Sequence, residues 1–126
     1  MGRIRGVTMK KFACLLVLAA MTSPAWADCT YPKSVGKLPD GKSATRDEMV
    51  TAQKVVKQYQ ANMTTYLDCI KAENDAALAK ESVTDAQRKS INDRYTQKND
   101  AAVDEAHDVA GRFNEQLRVF KAKSAK

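Results

Sequence analysis

The stretch TRDEMVTAQKVVKQYQANMTTYLDCI, residues 45–70, decides the fold. Met49, Ala52, Val56, Tyr59, Met63, Tyr66 and Ile70 recur at alternating steps of three and four, which puts them in one row on an α-helix. Val55 and Leu67 widen that row. The start of the helix is written just ahead of it. Thr45 and Glu48 form a T-x-x-E capping box, in which the hydroxyl takes a first-turn amide and the carboxylate reaches back to the cap. Asp47 and Glu48 also place negative charge at the positive end of the helix dipole. The pattern continues weakly through Ala76, Ala77 and Leu78 without Pro or Gly, so the first helix is read over 45–81.

Ser82-Val83-Thr84 interrupts the periodicity, and Thr84-x-x-Gln87 is a second capping box. It opens a second helix over 85–121, with Ile91, Tyr95, Ala102, Ala106, Val109, Phe113, Leu117 and Phe120 along one face. Asn99-Asp100 is its soft spot, where a bend or break is possible. Asp85 with Lys89 and Asp108 with Arg112 have the spacing of exposed helix pairs. Residues 122–126 form a basic tail. Two helices with a short connection make antiparallel neighbours, so the expected fold is an all-α, long antiparallel helical hairpin occupying 45–121. Its core is thin, and self-association or a bend into shorter helices would bury the wide apolar stripe.

Upstream, residues 28–44 hold Pro32, Gly36 and Pro39-Asp40-Gly41 and show no apolar period, which reads as an irregular arm. Cys29 lies in this arm and Cys69 lies in the first helix. Closing a disulfide between them would fold the arm back along the helix, with Val35 and Leu38 packing against it.

Further upstream, Arg3, Arg5, Lys10 and Lys11 precede the apolar run Phe12–Met21 and the Ala25-Trp26-Ala27 signature. This pattern reads as a secretory signal over 1–27, cleaved before Asp28, with an apolar run too short for a membrane span. Asp28 before Cys29 disfavours lipidation, and Cys14 leaves with the signal. Two cysteines in an exported chain then read as one structural disulfide, Cys29–Cys69, with an intermolecular bridge as the rival pairing. Removal of the segment takes four of the 21 basic residues and no acid, leaving 17 against 15, or +2 over 99 residues. That balance argues against a nucleic-acid binder, and the length against a large catalytic domain.

Motifs of chemistry are few. Gly36-Lys37-Leu38-Pro39-Asp40-Gly41-Lys42-Ser43 satisfies the P-loop pattern but lacks the preceding buried strand. His107 lies among Asp104, Glu105 and Asp108, the ordinary surroundings of a surface histidine. Zinc held by Cys29, Cys69 and His107 would match no known ligand spacing. Glu73, Asp75 and Asp93 read as isolated, solvated carboxylates. No catalytic set, metal site or cofactor site is expected. Tyr59, Met63 and Tyr66, joined by Phe113 and Phe120, read as core or as an adaptable contact surface.

Several of these pieces occur together elsewhere. Cys29, the P-D-G-x-x-A-T turn at residues 39–45 leading into Glu48-Met49, the stretch from Tyr59 to Tyr66-Leu67-x-Cys69, and Phe113-Asn114-Glu115-Gln116-Leu117-Arg118-Val119-Phe120 form a pattern. It resembles a group of small exported proteins of Gram-negative bacteria. The resemblance spans most of the chain after residue 27 and implies a periplasmic location, but carries no activity with it. The expected role is a non-enzymatic interaction or adaptor protein of the envelope, partnered by another envelope protein or by itself, with no stable membrane insertion. A small enzyme inhibitor or chaperone-like binder is the alternative. A hydrolase or metal-dependent enzyme stands third.

Overall fold

The computed structural model describes residues 28–126. The signal segment expected over 1–27 lies outside the described residues. Helix α1 runs over Arg46–Leu78 and helix α2 over Asp85–Ser124, about 50 and 60 Å long at 1.5 Å per residue. They pack against each other as a hairpin, and no strand occurs among the described residues. No described helix is long and apolar enough to cross a membrane.

Both capping boxes are formed. Thr45 accepts from the Glu48 amide and Thr84 from the Gln87 amide, while the Glu48 and Gln87 side chains return to the cap amides at 2.7 and 2.9 Å. The first helix ends at Leu78, three residues earlier than its reading, because Ala79 to Thr84 are needed to reverse the chain. The second is continuous through Asn99-Asp100 and runs on to Ser124. Its last turn is tied down rather than loose: Lys123 donates to the Ala44 carbonyl at 3.0 Å and lies over the Phe120 ring. Most of the residues read as a basic tail are therefore helix.

The α1 row is buried along its whole length, from Met49 to Ile70. Its cover comes from two sources. Ala102, Val109 and Phe113 of α2 are buried against it, with Tyr95, Ala106, Leu117 and Phe120 partly so. The arm, residues 28–44, supplies the rest. Cys29 is bonded to Cys69, with Cα atoms 5.7 Å apart. Tyr31 meets the Tyr66 ring edge-on at 4.9 Å between centroids and donates its hydroxyl to Glu105 at 2.6 Å. Val35 and Leu38 then pack on the core, as their position in the arm led one to expect. The arm thus runs antiparallel to α1, from Cys69 back to the helix start.

Candidate functional site

Tyr59, Met63, Tyr66 and Phe113 are buried, and Phe120 is half-buried. The structure brings all five into one cluster, but as the packing between helices and arm. As an accessible contact surface this set is therefore displaced. A two-helix chain has little apolar surface to spare, and its largest side chains are consumed in holding the hairpin together. Only the margins of the cluster reach solvent.

The accessible apolar surface lies beside the arm. Val35, Leu38 and Pro39 of the arm face Ala52 and Val55 of α1 across an open groove of about 680 Å³. Val55, which widens the stripe in sequence, is 44% exposed here. Asp40, Asp47 and Glu48 stand around this floor together with Lys37. Hydrogen bonds from the Thr45 amide and hydroxyl hold the Glu48 carboxyl below its usual range, so it is anionic at neutral pH. On the other side of Leu38, the arm borders α2 at Asp108, Gly111, Arg112 and Glu115.

The walls of the groove are fixed by backbone contacts. The Gly41 amide donates to Gln116 Oε1 at 2.9 Å. A methyl group at Gly41 would run into the Gln116 carbonyl oxygen and come within 2.9 Å of Phe120 N and 3.0 Å of Val119 Cβ. The arm and α2 touch here backbone to backbone, and only glycine permits that approach. Gly36, at φ +71°, supplies a second bend that a side chain would strain. The Pro39-Asp40-Gly41 turn and the Phe113–Phe120 segment, far apart in sequence, are thus the two halves of one junction.

The same geometry disposes of the P-loop pattern. Gly41 donates to Gln116, Lys42 to Asp40 Oδ1, Ser43 and Ala44 to the Asp40 carbonyl, and Thr45 to Glu48. Five successive amides that would cradle a phosphate are already bonded within the chain.

Elsewhere five ion pairs occur among the described residues. Asp108 binds Arg112 at 2.8 Å, as its spacing suggested. Lys89 turns to Asp93 at 2.6 Å instead of to Asp85, whose charge sits in the first turn at the amide end of the helix. Asp75 binds Lys71 at 2.6 Å and Glu73 approaches Lys98 at 3.9 Å, so Glu73, Asp75 and Asp93 all have cationic partners. His107 is exposed beside Gln60 and Thr64, while its neighbour Glu105 is engaged by Tyr31. Among the described residues the one convergence of metal-ligand types is Cys29, Cys69 and Glu73, whose ligand atoms lie within 4.8 Å of one another. Its two sulfurs are bonded to each other, so neither is a thiolate able to take a metal. A smaller cleft of about 160 Å³ between the helices near the connection is lined by Ile70, Asn74, Ile91 and Tyr95.

Comparison with known proteins returns no match, whether by family model, by curated sequence or by solved structure.

The groove rests on signals that a sequence shows only faintly. Val35, Leu38 and Val55 each look like core contributors; that they leave an open channel depends on where the arm is pinned. The pins include Tyr31–Glu105, Gly41–Gln116 and Ala44–Lys123, which join residues 74 to 79 positions apart. No local pattern marks such pairs.

Proposed function

We propose that this chain is a non-enzymatic interaction protein of the bacterial periplasm, exported with cleavage before Asp28, and that the groove beside the arm is its contact surface. The observation that carries the reading is that groove: an open apolar floor held on a rigid, disulfide-fixed scaffold. A preorganised apolar channel loses little conformational entropy when a partner segment enters it. The disulfide and the resemblance to small exported proteins support the location.

The test places a photo-activated cross-linking residue at Val55 in cells and, as a control, at exposed Asn92 on α2. A discrete cross-linked species from Val55 and not from Asn92 is the expected result. Equal or absent cross-linking at both positions overturns the assignment of the groove. Fractionation of the same cells, with the N-terminus of the product read by mass spectrometry, checks export. A product in the cytoplasm that retains residues 1–27 removes the periplasmic reading.

A further inference from the structure

The carboxylates around the groove are set apart by the apolar strip they border and not by the lack of an ion pair, which Asp28, Asp68, Glu81, Asp85, Asp100 and Asp104 share among the described residues. Asp75, Asp93, Asp108 and Glu115 are each ion-paired with a helix neighbour at 2.6 to 2.8 Å, and Glu73 approaches Lys98. Asp40, Asp47 and Glu48 are exposed, and among the described residues none lies within ion-pair distance of a cation. The helix dipole and the capping box account for Asp47 and Glu48 at the start of α1. Asp40 accepts from the Lys42 amide in the preceding turn, and all three acids line the same groove as exposed Val55 and half-buried Leu38. The residues lining the groove are three acids and Lys37, a formal −2, on a chain whose residues 28–126 carry +2, and Lys123, held on the Ala44 carbonyl behind the cap, offsets part of the Glu48 charge.

We infer that this groove receives a cationic, amphipathic segment of a partner protein, with an apolar side chain seated between Leu38 and Val55 and Lys or Arg side chains over Asp40 and Asp47. The inference rests on the interaction reading above and adds the chemistry of the occupant. Apolar contact at the floor supplies the anchor, and the rim charges select the sign of the flanking residues. An anionic segment of equal hydropathy meets three like charges at the same rim and is rejected.

The test uses the oxidised protein, residues 28–126, and three fluorescent peptides of equal length and apolar pattern bearing Lys, Gln or Glu at the polar positions. Anisotropy titration at low salt is expected to show the Lys peptide bound about 10-fold or more tightly than the Glu peptide, a preference that shrinks as salt rises. The double variant D40N/D47N should cut that preference by about 3- to 10-fold, since exposed ion pairs are individually weak. V55N should weaken all three peptides. Asn keeps the Asp40 side-chain acceptor for the Lys42 amide, and thermal melts confirm that each variant is folded. Equal binding of the Glu peptide, or Lys-peptide binding untouched by both variants, overturns the inference. A concentration-dependent dimer abolished by V55N overturns it too, because the occupant is then a second copy. If no peptide binds while Val55 still cross-links to a partner, the charge assignment falls and the interaction reading stands. If the cross-link is missing as well, both fall.

Discussion

Gly41 is the residue on which the arm depends, and its role is steric. The backbone oxygen of Gln116 occupies the space that a Cβ would need, so the junction between arm and α2 has no slack. G41A should therefore destabilise the fold by about 2 kcal/mol, in the range of overpacked sites, measurable as a lower urea midpoint. An unchanged midpoint would mean that the arm is not seated on α2 in solution. Sequence reading placed Gly41 in a turn, which is correct but incomplete, because the contact partner is 75 residues away. Tyr59 offers a second residue-level test. Its ring is buried and its hydroxyl has no hydrogen-bond partner, while burial, and then the nearby Glu105 carboxylate, pushes the phenol from its ordinary 10 up to about 12. A raised folded pKa means that the folded state holds this proton more tightly than the unfolded chain. The associated stability is complete below about pH 10 and is lost as pH rises from 10 through 12. Y59F should be at least as stable as the parent at about pH 8 and should lose less stability by about pH 11, as judged by urea melts at both. A steeper alkaline loss in Y59F would contradict this placement.

At the scale of elements, much of the hairpin was legible because its determinants are local. The 3-4 spacing of the α1 row and the two T-x-x-E/Q boxes are each visible within a few residues, and both correspond to observed structure. The continuity of α2 through Asn99-Asp100 was not legible from propensity. It follows from the packing of the half-buried residues on either side against α1, and tertiary contact overrides a weak local preference. The partner of Lys89 was equally undetermined, since acids stand four residues away in both directions. Within the connection the Ala79 amide closes on the Asp75 carbonyl, and the Thr84 box satisfies amides that a six-residue reversal would otherwise leave to water. T84A should lower stability by about 1 kcal/mol, seen as a fall of roughly 4 to 8 °C in melting temperature. A melt indistinguishable from the parent would show that the connection frays without consequence.

For the whole molecule, the arm, α1 and α2 make a three-part cross-section from a two-helix sequence, and Cys29–Cys69 fixes the third part covalently. The candidate site was less legible than the fold for this reason. The residues first read as a possible surface, Tyr59, Met63, Tyr66 and Phe113, are those the three parts close over, and the groove opens where they leave a gap. A bridge across 40 residues should stabilise by roughly 3 to 4 kcal/mol on chain-entropy grounds. C69S, or reduction of the parent, should lower the urea midpoint accordingly, with the two treatments agreeing. If neither moves it, the packing of Tyr31 and Gly41 alone suffices to hold the arm.

That bridge also divides the chain unequally. Residues 29–69 form a closed covalent ring that contains the arm and most of α1, whereas α2 lies wholly outside it and is joined to it only through Ile70–Leu78 and the six-residue connection. One proteolytic cut between Ala79 and Thr84 therefore splits the protein into a cyclised fragment and a free linear rod. The two pieces would meet again through the helix interface and the three pins of the arm on α2, Tyr31–Glu105, Gly41–Gln116 and Ala44–Lys123, so this molecule is built as a ready-made pair for fragment complementation.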